Sequence, residues 1–162
     1  MSNKIIIFTG KIQTGKTTLL QRFCTLKNNV AGILTPIVNG KRVFYNIEGN
    51  VFFEMEATDD DEKIAIGKYL FSAAAFAKAN TILLTAGKKT GIKYLIIDEI
   101  GPLEVKKQQG LYQPLKEIIT SHFAYTLILV VRQSLVDEVI AAFNLNNPVV
   151  LSLSKMKEYF EL

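Results

Sequence analysis

The sequence predicts an α/β fold, a mostly parallel sheet flanked by helices with a small antiparallel β meander inserted. Three observations carry this. Four short runs are apolar on consecutive rather than alternate residues, as strands covered on both faces require: IIIF at Ile5 to Phe8, YLIID at Tyr94 to Asp98, YTLILVV at Tyr125 to Val131 and PVVLSL at Pro148 to Leu153. Between them lie stretches with apolar residues three and four apart, the spacing of one helix face. Residues 30–57 match neither pattern and instead set turn residues between short β-rich runs.

Taken in order, the first strand leads through a glycine loop into KTTLLQRFCTL, where Leu19, Leu20, Phe23 and Leu26 line one side of a helix and Cys24 joins them as a small apolar group. AGILTPIVNGKRVFYNIEGNVFFEMEA, from 31 on, reads as the meander, with turns at Asn39-Gly40 and Glu48-Gly49-Asn50. TDDDEK at Thr58 to Lys63 is a polar loop, better explained as a solvated acidic surface than as a metal site. An alanine-rich helix starts near Ser72 and closes on a glycine cap at Gly87. Leu111, Leu115, Ile118 and Ile119 mark the next helix; Leu135, Val136, Val139, Ile140 and Phe143 mark another, with Ser134 as its N-cap. Alternating strands and helices require right-handed crossovers.

Length and composition narrow the class. A chain of 162 residues fits one core, so residues 1–162 are read as a single domain. The amino-terminal MSNKIIIFTGK has four consecutive apolar residues before Thr9 and Gly10, too few for a signal peptide or a membrane span. A lone Cys24 excludes an internal disulfide and a cysteine-rich zinc site and fits a reducing interior, so the cytoplasm is the expected compartment. The net charge of +4 suits a phosphate-bearing ligand, but its lysines are scattered and lack the dense stripe of a nucleic-acid binder. A monomer with no nucleic-acid or membrane contact is expected, and no residue pattern names a protein partner.

The chemistry concentrates in two places. Gly10, Lys11, Ile12, Gln13, Thr14, Gly15, Lys16 and Thr17 match G-x-x-x-x-G-K-[ST] without a gap, and Thr18 follows. Glycines allow the backbone to turn its N–H groups inward, and a helix beginning there adds unpaired N–H groups and the positive end of its dipole; all three favour an anion. Lys16 would reach the β- and γ-phosphates of a nucleoside triphosphate and the Thr17 hydroxyl would bind Mg²⁺. A plain glycine turn with a surface lysine would need neither the strand before it nor the amphipathic helix after it.

The second place is KYLIIDEIGPLE at Lys93 to Glu104. A buried strand ending at Asp98 sets a carboxylate at the carboxyl edge of the sheet, where it can hold Mg²⁺ directly or through water. Adjacent strand residues face opposite ways, so Glu99 can look toward the γ-phosphate only if the strand ends and the chain turns. There it would orient or deprotonate water, which favours hydrolysis over transfer to an acceptor. Arg132, after the third run, either stabilises transition-state charge or pairs with a surface carboxylate. His122 at a helix end is read as a cap, and Tyr69 and Phe44 as core aromatics that could also stack on a base.

TGKIQTGKTTLL at Thr9 to Leu20, AGILTPIVNGKR at Ala31 to Arg42, IGKYLFSAAAF at Ile66 to Phe76 and LIIDEIGPLE at Leu95 to Glu104 together resemble the THEP1-type nucleoside-triphosphatase family of P-loop proteins, in order and spacing. The resemblance implies a P-loop NTPase fold with a RecA-like core, and Mg²⁺-dependent, slow hydrolysis of ATP, GTP and other nucleoside triphosphates with broad base tolerance. It implies Lys16 and Thr17 as phosphate and metal ligands, Asp98 as the Mg²⁺ partner and Glu99 as the base. Family loops commonly read GPPGVGKT, so Gln13 here brings a Cβ where close phosphate approach favours none. An arginine expected between Thr35 and the NGKR turn is also missing.

Two other functions fit a phosphate loop. A small nucleotide or nucleoside kinase would need an acceptor pocket and an arginine-rich lid, and the chain has only Arg22, Arg42 and Arg132. A nucleotide-binding accessory protein would use the bound state as a switch for a partner.

Overall fold

The computed structural model describes residues 3–162; Met1 and Ser2, which open the stretch read for a targeting signal, lie outside the described residues. In chain order the elements are β1 (Lys4–Gly10), α1 (Lys16–Leu26), β2 (Val30–Leu34), β3 (Ile37–Val38), β4 (Lys41–Asn46), β5 (Val51–Glu54), β6 (Lys63–Ile66), β7 (Tyr69–Ser72), α2 (Ala73–Gly87) and β8 (Tyr94–Ile100). Then come α3 (Pro102–Lys107), α4 (Tyr112–Thr120), β9 (Thr126–Arg132), a 3-10 turn (Gln133–Leu135), α5 (Val136–Ala142), β10 (Val149–Leu151) and α6 (Leu153–Phe160).

The main sheet runs β10-β1-β9-β8-β2-β4-β3, with β5 beside β4. From β10 to β2 every pairing is parallel, so all five strands deliver their carboxyl ends to one edge. Consecutive apolar residues in β1 serve two layers. Ile5 and Ile7 pack with α2 to α5, whereas Ile6 and Phe8 pack with α1 and α6. Ile6, Ile7 and Phe8 are wholly buried, each contributing about 2 kcal/mol of apolar transfer.

The region read as a meander divides. Val30–Leu34 is buried throughout and pairs parallel with β8, so it belongs to the central sheet. Gly32 makes this possible: its φ is +121°, and a Cβ there would fall 2.0 Å from the Ile96 carbonyl oxygen. The antiparallel part is β3 to β5, an arm built onto β2 through β4. Its first turn has Asn39 at φ 51° and Gly40 at φ 77°, the two positive values that a tight hairpin of this twist needs.

Other boundaries shift for identifiable reasons. Lys63 opens a second hairpin, β6 with β7, whose Ile64, Ile66 and Phe71 pack on the α2 layer; the acidic loop ends at Glu62. The Ser72 hydroxyl then caps α2 by accepting from Ala75 N–H at 3.2 Å. Gly87 is the last residue of α2 rather than a positive-φ cap, and a Cβ there would meet Ile118 Cγ1 at 2.9 Å. Ser134 lies inside the 3-10 turn and caps nothing; Asp137 and Glu138 supply negative charge to the first turn of α5 instead. Leu26, expected on the core face, is 58 % exposed. PVVLSL forms only the three-residue edge strand β10, with Val149 and Val150 half-exposed, and Leu153 begins α6. Among the described residues no helix is long and apolar enough to cross a membrane.

Candidate active site

The loop from Lys11 to Gly15 joins β1 to α1 at the carboxyl edge of the sheet, and its residues are exposed. Gln13 (φ 58°) and Gly15 (φ 88°) both take left-handed backbone, which turns the chain tightly enough to open a helix at Lys16. The first N–H groups of α1, at Lys16, Thr17 and Thr18, have no partner within the helix. Lys16 folds back over the loop, its Nζ donating to the Lys11 carbonyl at 2.8 Å and approaching the Gly10 carbonyl and Thr14 Oγ1 at 3.5 Å. Burial holds its pKa below the ordinary lysine value, opposed by Glu99 and Asp98 and aided by Arg132.

Glu99 reaches the site by a different route from the one predicted. The strand does not end at Asp98; β8 continues to Ile100 and bulges. Ile97 pairs with Leu129 and Ile100 with Val131, so Asp98 and Glu99 together oppose the single residue Val130. Such a bulge is rare between parallel strands. Ile97 and Ile100 both pack in the α2 to α5 layer, leaving the two carboxylates between them free of the usual alternation. Glu99 takes φ 63°, a left-handed conformation that costs a side-chain-bearing residue about 1 kcal/mol.

Asp98 is fully buried, and its Oδ2 accepts from Thr17 Oγ1 at 2.9 Å and from Thr35 N–H at 3.0 Å. Its Oδ1 is buried with no hydrogen-bond partner among the described residues. Desolvation pushes the Asp98 pKa up against the pull of the Thr35 amide. A buried carboxylate with one oxygen unspent beside a threonine hydroxyl is a hard-oxygen donor set, the kind that Mg²⁺ accepts from one or two protein groups plus substrate phosphate and water. Thr17 and Asp98 therefore fit the cation they were expected to hold.

Three residues that the motifs did not single out complete the arrangement. Arg42 on β4 donates from Nη1 to the Thr35 carbonyl at 2.9 Å and forms an ion pair with Glu99 Oε2 at 3.4 Å. Thr35 thus joins Arg42 to Asp98 through its own backbone, the C=O taking one and the N–H the other. Glu104, 3 % exposed, accepts from Gly101 N–H at 2.9 Å and from Leu111 N–H at 3.1 Å, tying the chain just after the bulge to the start of α4. Burial pushes its pKa up to about 7 despite both amides. The signals were present: Arg42 closes NGKR and Glu104 closes DEIGPLE.

Arg132 pairs in register with Gly10, beside the loop, and forms no ion pair with a carboxylate among the described residues. Ile12 is 62 % exposed at the loop. Phe44 is core, packed on Phe53 and Phe76, so base stacking by it is excluded; Tyr69 lies on the β6–β7 hairpin. His122 is exposed beyond the end of α4. Cys24 is half-buried, and burial raises its thiol pKa to about 12.

Known proteins agree with this architecture. The crystal structure of THEP1 from the hyperthermophile Aquifex aeolicus matches with a TM-score of 0.73 at 22 % identity, over 97 % of this chain and 95 % of that one. The solution structure of a human cancer-related nucleoside triphosphatase matches with a TM-score of 0.66 at 20 % identity, over 95 % and 90 %. No curated protein sequence matches. The family described as NTPase matches residues 5–157. Since that match spans nearly all of the elements that build the loop and the bulge, the chain belongs to the NTPase family and is a nucleoside triphosphatase of P-loop fold.

Proposed function

We propose that the protein hydrolyses ATP, GTP and other nucleoside triphosphates to diphosphate and phosphate, with Mg²⁺, slowly and with little regard for the base. The observation that carries this is the bulge: it turns Asp98 and Glu99 out of alternation, so that one can hold a cation with Thr17 while its neighbour serves the water. Lys16 leaves the Lys11 carbonyl for the β- and γ-phosphate oxygens, and the loop N–H groups take the rest of the charge. When bound, Mg²⁺ would neutralise charge on the phosphates, with Thr17 and Asp98 as its protein ligands. Glu99 orients a water toward the γ-phosphorus and accepts its proton as the new P–O bond forms and the bond to the β-phosphate bridging oxygen breaks. Arg132 stands at the loop as a further cation for the developing charge.

Broad base tolerance is supported by where the polar groups point. Lys16, Thr17, Asp98 and Arg42 all suit phosphate or metal, and Phe44 is committed to the core. Slow turnover is supported by the contacts that substrate must break, Lys16 with Lys11 and Glu99 with Arg42. We read residues 1–162 as one domain acting as a monomer in the cytoplasm, in keeping with the lone Cys24 and the layers shared across one sheet. The test is phosphate release from ATP, GTP, CTP and UTP with and without Mg²⁺, beside Glu99→Gln. Release from several bases that vanishes in the variant supports the reading; wild-type turnover in Glu99→Gln removes Glu99 as the base.

A further inference from the structure

Arg42 is anchored but only partly used. Its Nη1 alone holds the Thr35 carbonyl, approaches Thr35 Oγ1 at 3.5 Å and meets Glu99; its Nη2 and Nε have no hydrogen-bond acceptor among the described residues. A guanidinium carries five N–H groups in a planar fork that fits two phosphate oxygens, so most of this fork is unspent. The side chain is 29 % exposed and reaches the two-carboxylate bulge from the side opposite the loop, across β2. Thr35, which fixes it, also holds Asp98 through its N–H, so a single residue links the guanidinium to the cation ligand.

We propose that Arg42 is a ligand of the terminal phosphoryl group and, beside Lys16, a residue by which this site tells triphosphate from diphosphate. This rests on the reading of the Gly10 to Thr17 loop as a triphosphate site. The loop N–H groups serve phosphates common to both nucleotides and Lys16 bridges from the β- to the γ-phosphate, whereas Glu99 and Arg42 meet on the far side of the bulge, where a γ-phosphate alone would extend. Arg42 is paired with Glu99 in the structure. A γ-phosphate carries more charge than one carboxylate and offers several oxygens to the free Nη2 and Nε, so it takes over the guanidinium charge that holds Glu99 while Nη1 stays on Thr35. Glu99 is thereby released to hold water only when there is a γ-phosphate to attack. A diphosphate leaves the pair closed.

Calorimetric titration with a non-hydrolysable triphosphate and with the diphosphate, each with Mg²⁺, gives the ratio of the two affinities for wild type, Arg42→Ala and Arg42→Lys. Arg42→Ala is expected to lower that ratio at least tenfold and kcat by about a hundredfold, the scale for losing one donor to transition-state charge. Arg42→Lys keeps the charge but not the fork and is expected to fall between. A ratio unchanged in Arg42→Ala, with kcat reduced, would mean that Arg42 only props Glu99, and overturns the proposal. Urea midpoints check folding; if Arg42→Ala is unfolded, a ratio in Arg42→Lys within twofold of wild type overturns it equally. Repeating the titrations in Glu99→Gln separates the two readings. There the loss of ratio is expected to persist, and persistence supports Arg42 even if Glu99→Gln keeps full turnover and so fails as the base. Wild type that binds neither nucleotide overturns both.

Discussion

Thr17 and Asp98, 81 residues apart in sequence, meet through one hydrogen bond of 2.9 Å that spends Asp98 Oδ2 and leaves Oδ1 bare. A buried carboxylate oxygen without a partner costs stability that a cation would restore. Mg²⁺ with a non-hydrolysable triphosphate is therefore expected to raise the melting temperature by more than nucleotide alone. In Asp98→Asn that Mg²⁺-dependent increment disappears and kcat falls by about a hundredfold or more. Thermal melts with Mg²⁺ or with a chelator check the first, phosphate release the second. An increment kept in Asp98→Asn would remove Asp98 as a metal ligand.

Lys16→Ala removes the cation that folds back over the loop and its contacts with the Lys11 and Gly10 carbonyls. A charge-assisted contact to phosphate is worth about 2 to 3 kcal/mol, so triphosphate affinity is expected to drop by about thirtyfold or more. The nucleotide-free protein loses little stability, because the Lys11 contact is exposed and the part-buried Gly10 contact is long, at 3.5 Å. Titration calorimetry measures the affinity, and undiminished binding rejects the assignment of the loop.

Glu104 gives stability a pH dependence of definite sign. Its pKa rises from 4.5 to about 7 on folding, because burial disfavours the charged form. The folded state thus binds more protons than the unfolded state between those values. Its contribution is greatest below about 4.5 and is lost as pH rises through about 7. Asp98 shifts in the same direction, so the comparison needs a control. Between pH 5 and pH 8 the wild type is expected to lose a few kcal/mol more than Glu104→Gln, which does not titrate. Urea unfolding of both proteins at the two pH values measures this, and equal pH dependence would contradict it.

Gly32→Ala is expected to prevent the protein from folding, or to cost more than about 4 kcal/mol, since the new Cβ would collide with the Ile96 backbone in the middle of the β2–β8 ladder. Circular dichroism and urea titration check it. A variant of near wild-type stability would mean that the two strands separate there at little cost.

The sequence made the sheet covered on both faces and the phosphate loop legible because both follow from local rules: consecutive apolar residues for doubly covered strands, glycines and a lysine at fixed spacing for the loop. What it did not disclose depends on partners far along the chain. Val30–Leu34, with Ala31 and Gly32 in its middle, is poorer in β-formers than the arm after it, and only pairing with β8 makes it central. Gly87 looks like a cap until Ile118 is packed against it. Arg42 is one arginine in a hairpin by sequence, and becomes part of the site because β4 sits next to β2 and carries it to Thr35 and Glu99. Asp98 and Glu99 were recognised from their motif, but the means of bringing them together is a register shift against β9.

That register shift has a bearing on how such a site can arise or be lost. Two residues stand where an unbroken ladder has one, so the proximity of the carboxylates is encoded in residue count rather than in residue type. Deleting a single position between Ile97 and Ile100 would leave a smoother and less strained strand with only one carboxylate. No exchange of one amino acid for another could restore the pair.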